Sequence, residues 1–183
     1  ASVSNSAWNS VFFSNSFDDI PSIILGSPGS NNSTVRMTPR VKFVNRTTRF
    51  EIQAIPWAYQ NISSFSKDEA IPYLVMTPGL HQLGEVTALA GRATASSGWT
   101  KITFSTPFNT VPVVFANQLI PSNTFATVLR IRNVTNEGFE ARIMKEDGIS
   151  SNPGAENITY IALTPGKGVV EGRPFIVGVT APN

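Results

Sequence analysis

The stretch WNSVFFSNSFDDIPSII (residues 8–24) reappears as WTKITFSTPFNTVPVVF (residues 99–115), and this recurrence decides the fold. At an offset of 91 it lays Trp8 on Trp99, Phe13 on Phe104, Phe17 on Phe108 and Pro21 on Pro112. Further along, RFEIQAI from Arg49 matches GFEARIM from Gly138 at offset 89, and EAIPYLVMTPG from Glu69 matches ENITYIALTPG from Glu156 at offset 87. Self-similarity of this kind marks a repeat architecture. The 183 residues therefore read as a duplication, with copies at 1–98 and 99–183 joined by Ala95-Ser96-Ser97-Gly98. The fall in offset, 91 − 87 = 4, gives the first copy about four extra residues, expected in loops.

Each copy reads as β-structure. Ile102-Thr103-Phe104 and Val111–Phe115 are short β-branched or aromatic runs bounded by Pro, Asn and Thr. Phe139, Ala141 and Ile143 alternate with Glu140, Arg142 and Met144, the period of a half-buried strand, and Phe50, Ile52 and Ala54 repeat the pattern. TVLRIRNVTNEGFEARIM predicts a hairpin turning between Asn133 and Gly138. Each Thr-Pro-Gly is expected to end its strand, because Pro cannot donate to a ladder and Gly permits a sharp turn. Several short strands per copy, separated by turns, predict an all-β chain of two tandem antiparallel β-sandwiches, residues 1–98 and 99–183.

Composition narrows the function classes. With 41% apolar and 14% charged residues, the chain belongs with packed domains and not with disordered ones. No run approaches the 18 or so apolar residues of a membrane-spanning helix, so membrane insertion is not expected. A start at Ala1 without a charged-then-apolar leader points to a processed protein or an excised piece of a larger one. The lack of Cys removes disulfides, thiol catalysis and Cys-based zinc sites. Net charge is 14 − 12 = +2, and each copy carries seven Lys/Arg and six Asp/Glu, a balance that argues against a nucleic-acid partner.

The second copy resembles the H-type lectin domain, and more closely the repeats of that type in bacterial exported proteins. The resemblance rests on the F-x-x-P-F-x-x-x-P-x-V-x frame from Phe104 to Ala116, on RIRNVTNEGFEARI from Arg130 and on ITYIALTPG from Ile158. The first copy shows the frame more loosely in Phe13–Ile24, Arg40–Ile52 and Ile71–Gly79. The resemblance implies a compact six-stranded antiparallel sandwich, often trimeric, that binds sugars such as N-acetylgalactosamine. Lectins of this type carry a Trp and, shortly after, an Asp beside the sugar. Here Met144-Lys145-Glu146-Asp147 has no Trp, and Pro56-Trp57-Ala58-Tyr59-Gln60 has no acid, so no particular sugar carries over.

Sugar binding requires flat apolar faces for the ring and planar polar groups for the hydroxyls. Trp57, Tyr59, Gln60 and Asn61 supply that composition in an expected loop, and Lys145, Glu146 and Asp147 form the matching loop of the second copy. An alternative use for Trp57 is packing between the copies. Arg36, Arg40, Arg46 and Arg49, echoed by Arg130, Arg132 and Arg142, could hold sulfates or carboxylates of an acidic polysaccharide; the competing reading is outward-facing strand residues that blunt an edge. Trp8 and Trp99 open equivalent strands, so a shared packing role in the core or between copies is expected. Glu51/Glu140 and Glu69/Glu156 recur too; surface ion pairing is expected of them, not glycosidase chemistry. His81 stands alone, with no G-x-S-x-G elbow, H-E-x-x-H, Walker or dinucleotide motif, and Asp18-Asp19 is thin support for calcium. Six N-x-S/T sequons (Asn31, Asn32, Asn45, Asn61, Asn133, Asn157) would matter in a eukaryotic secretory protein. The expectation is a non-catalytic, extracellular or cell-surface carbohydrate-binding protein without cofactor or metal. Its expected partner is a glycan or polysaccharide, and the family resemblance, whose members are often trimeric, points to a homo-oligomer. The alternative is a structural or adhesive spacer or oligomerisation module.

Overall fold

The computed structural model describes residues 2–3, 7–45, 47–119 and 124–180. Of the arginine cluster, Arg46 lies outside the described residues. The chain is all-β, with 52% of residues in strands; among the described residues a single short 3-10 turn occurs, at Ala58–Gln60. The first copy runs β1 (Ser2–Val3), β2 (Asn9–Phe12), β3 (Ser22–Leu25), β4 (Met37–Asn45), β5 (Arg49–Pro56), β6 (Glu69–Ala70), β7 (Tyr73–Met76), β8 (Gly79–Leu83) and β9 (Val86–Ala95). The second runs β10 (Thr100–Thr103), β11 (Val113–Leu119), β12 (Thr127–Arg132), β13 (Gly138–Lys145), β14 (Glu156–Leu163), β15 (Gly166–Val170) and β16 (Arg173–Val177).

Equivalent strands pair in equivalent registers. The order β2-β5-β4 is repeated as β10-β13-β12, β3-β7 as β11-β14, and β8-β9 as β15-β16. Asn9 faces Ile52 as Thr100 faces Ala141, and Lys42 faces Glu51 as Arg132 faces Glu140. The aromatic packing is copied as well. Phe13 meets Phe17 edge-on at 4.7 Å and Phe104 meets Phe108 at 5.2 Å; Phe50–Tyr73 and Phe139–Tyr160 stand edge-on at 5.3 and 5.5 Å. Such edge contacts match the positive rim of one ring to the negative face of another. The Asn133–Gly138 hairpin and both Thr-Pro-Gly strand ends form as the sequence predicts; Gly79 and Gly166 take positive φ (110° and 148°) directly after them.

The sheets do not follow the boundary at residue 98. A seven-stranded sheet runs β2-β5-β4-β11-β14-β9-β8 and draws on both copies. β9 pairs with β14 over eight residues, from Glu156↔Ala95 to Leu163↔Ala88. β4 meets β11 in parallel through Val41↔Leu119, so the sheet is mixed where purely antiparallel pairing was expected. β14 shows why: Ile158, Tyr160 and Ala162 enter one core cluster with Phe104, Phe139 and Ile143, while Ile161 and Leu163 enter another with Val86, Ala88 and Ala90. A strand apolar on both faces needs cover on both sides. A third cluster, Ile23, Val41, Phe50, Ile52, Ala54, Phe65 and Ile71, also takes in Leu119 from the second copy.

The correspondence between the copies fails around Tyr160. Tyr160 is 4% exposed beneath β9, with Gly91 giving room for its ring, whereas its counterpart Tyr73 is 42% exposed. The first copy lacks that cover because, among the described residues, β16, the counterpart of β9, pairs with β15 and not with β7.

Candidate functional site

The two loops singled out in the sequence come together. After β5 ends at Pro56, residues 58–60 make a single 3-10 turn. Its opening amides are exposed donors, because the first turn of a helix leaves N–H groups without internal acceptors. Glu146 supplies the acceptors from the other copy: its Oε2 takes the Ala58 N–H at 2.6 Å and its Oε1 the Tyr59 N–H at 2.9 Å. Trp57 and Glu146 are counterparts at offset 89, so the two loops meet through equivalent positions. Asn61 closes the turn with φ 52°, its N–H donating to the Ala58 carbonyl at 2.9 Å.

Gln60 fixes the turn to Arg36, the residue before β4. Its Oε1 accepts the Arg36 N–H at 2.7 Å, its Nε2 donates back to the Arg36 carbonyl, and the Trp57 N–H donates to that same carbonyl at 3.0 Å. The result is a held platform with Trp57 half-buried and Tyr59 71% exposed. Trp57 lines a groove of about 390 Å³ with Ser27, Pro28, Arg36, Met37, Thr38 and Val128. Trp57 therefore lies at the seam with the second copy, beside Val128, and also borders open space.

The remaining candidates divide. Gln60 and Glu146 are engaged in holding the turn, and Lys145 Nζ donates to the Ile149 carbonyl of its own loop. Asn61 and Asp147 are exposed. Arg130 and Arg132 lie on β12, with Arg132 Nε 2.6 Å from Glu140 Oε2. Val128 precedes Arg130 by two residues and so lies on the same strand face, which makes the arginine face a continuation of the groove wall.

Trp8 and Trp99 do share a role, but on the outer faces of the sheets and outside the apolar clusters. Lys42 Nζ sits 4.3 Å from the Trp8 ring and 2.9 Å from Glu51; the Arg132 guanidinium sits 4.0 Å from the Trp99 ring and also binds Glu140. A cation over an indole face gains from the ring quadrupole. The Arg132 hydrogen bond holds the Glu140 carboxyl below its usual range. Surface pairing therefore describes Glu51 and Glu140. It does not describe Glu69 and Glu156, which are buried. Glu69 accepts the Asn32 N–H at 2.7 Å and the Asn32 Nδ2 at 2.8 Å; Glu156 accepts Gln118 Nε2 at 3.1 Å, and its charge partly offsets the burial that holds the Arg40 guanidinium below its usual range. Buried carboxylates persist only when hydrogen bonds or charges replace lost water.

One feature escaped sequence reasoning, an open hollow of about 710 Å³ between residues 31–35 and residues 62–68. The signal for it was the falling offset. One of the four extra residues falls between β3 and β4, one in the β4–β5 turn and two between β5 and β7; the first and the last of these loops line the hollow. Asp19 accepts the Ile20 N–H at 2.6 Å and lies 3.7 Å from Arg92, and the described residues contain no group of three or more His, Cys, Asp or Glu placed to hold a metal. No described helix is long and apolar enough to cross a membrane. Comparison with known proteins gave no match to any family model, curated protein or solved structure.

Proposed function

We propose that this chain is a non-catalytic, extracellular carbohydrate-binding protein, built of two H-type-lectin-like β-sandwich copies that share strands. The observation carrying this reading is the groove beside Trp57. Trp57 lines it together with Arg36, Ser27 and Thr38, and exposed Tyr59 stands on the turn that Trp57 opens. A pyranose needs that combination, an apolar plane for its C–H face and short polar groups for its hydroxyls. Catalysis is the weaker reading, because the recurring glutamates are engaged by cations or buried hydrogen bonds. A glycan array probed with the wild-type chain and with a Trp57→Ala/Tyr59→Ala double variant tests the proposal. Retention of a defined glycan that the variant loses is the expected result; no retained glycan, or equal binding by the variant, refutes it.

A second reading, an oligomerisation or adhesive module, is favoured by exposed Leu74, Ile176 and Val179, apolar side chains that association would cover. Sedimentation showing a defined trimer without sugar affinity would support it over the first.

A further inference from the structure

The duplication provides an internal control for the outer face of the β10-β13-β12 sheet. In the second copy, register sets out two cross-strand rows on that face: Lys101–Glu140–Arg132, and Arg142 beside Arg130 with Trp99 next to it. The corresponding rows of the first copy are Ser10–Glu51–Lys42, and Gln53 beside Arg40. The indole, the glutamate and its cation recur, so they belong to the frame. What the second copy adds is Lys101 for Ser10, Arg142 for Gln53, and an Arg130 that stands exposed where Arg40 is buried.

These additions concentrate positive charge on one face. Arg130 and Arg142 face each other directly across antiparallel strands, and like charges so placed repel. Arg142 Nε is buried without a hydrogen-bond partner among the described residues, and the Trp99 ring, 4.6 Å from the guanidinium, covers its face without supplying an acceptor. The two rows hold four cations against one carboxylate, Glu140, already engaged by Arg132. The first copy shows that the same sheet forms without them. Cations spaced about 5 Å across strands and about 7 Å along them match anionic groups set along a chain. Forked guanidinium bonds suit sulfate and carboxylate alike.

We propose that this face binds the sulfate or carboxylate groups of an acidic glycan, through Arg130 and Arg142 with Lys101 beside them. The choice of a glycan rests on the function proposed above, because Val128 joins this face to the Trp57 groove. A polynucleotide is disfavoured by the overall charge of +2 and the shortness of the patch.

The test compares the full chain, an Arg142→Gln/Lys101→Ser double variant that installs the first copy's residues, and Arg130→Ser at an exposed position. Each is titrated at low ionic strength with heparin, polygalacturonate, a neutral galactan and single-stranded DNA, with circular dichroism to check folding. Wild type is expected to bind a sulfated or uronate polymer and to release it as salt rises. Each guanidinium withdrawn should weaken that binding about tenfold or more, and neutral-glycan binding should be unchanged. Three results would overturn the inference: wild type ignoring both acidic polymers, folded variants binding them as tightly, or tighter binding of DNA. Binding of the neutral galactan alone overturns this inference but leaves the proposed function standing. Binding of no glycan at all removes both.

Discussion

Replacing Glu146 by alanine removes both acceptors of the turn that carries Tyr59, at 2.6 and 2.9 Å from the Ala58 and Tyr59 amides. The contact is exposed, so each charge-assisted bond is taken at the low end, about 0.5–1 kcal/mol. Together they contribute about 1–2 kcal/mol, a factor of about 5–30 in the opening equilibrium of the turn. Residues 58–60 bury none of their own side chains, and the Gln60 bonds to Arg36 hold the far end of the turn, so the opening is read at its Ala58–Tyr59 end. Amide exchange read residue by residue should therefore show Ala58 and Tyr59 losing protection by that factor. Amides of β14, buried on both faces, should keep theirs. Glycan affinity should fall several-fold through loss of order, while Glu146→Gln, which retains one acceptor oxygen, should fall in between. Unchanged exchange at both amides would refute the claim that the second copy holds the turn in place.

Three further outcomes follow from packing and charge. A methyl group at Gly91 would lie 2.4 Å from Tyr160 Oη, so Gly91→Ala should lower stability to denaturant by about 1–3 kcal/mol. The counterpart Gly178→Ala meets nothing within 4 Å and should be neutral. Phe139→Ala and Phe50→Ala, at matched fully buried positions, should each cost about 3–5 kcal/mol in the same assay. The Glu140 carboxyl is held below its unfolded value chiefly by the Arg132 hydrogen bond; its contribution to stability is present at neutral pH and lost as pH falls through the lowered value. Glu140→Gln should accordingly flatten the acid limb of stability against pH, and an unaltered limb would show the pair to be without effect.

The repeat was legible because aromatic and proline positions carry the frame: Phe13, Phe50 and Tyr73 stack as Phe104, Phe139 and Tyr160 do. The strand alternation of Phe139, Ala141 and Ile143 was legible for the same reason, since burial acts on every second residue. The sharing of strands was not. Which sheet β9 joins depends on the room Gly91 leaves for Tyr160 in the other copy, a long-range complementarity with no local pattern. The burial of Glu69 was hidden likewise, because its acceptors are answered by Asn31 and Asn32, far off in sequence. Of the candidate site, composition located both loops, but their meeting through Glu146 needed the fold.

The three tryptophans offer the most direct measurement, one in each setting: Trp8 in the first frame, Trp99 in the second, Trp57 in the groove. Their indole N–H resonances should be followed while the chain is titrated with a glycan it retains. The account predicts that Trp57 moves to saturation with that glycan, that Trp99 moves as well when the glycan is acidic, and that Trp8 stays in place. A saturated complex with Trp57 unmoved, or with Trp8 moving in its stead, would contradict it.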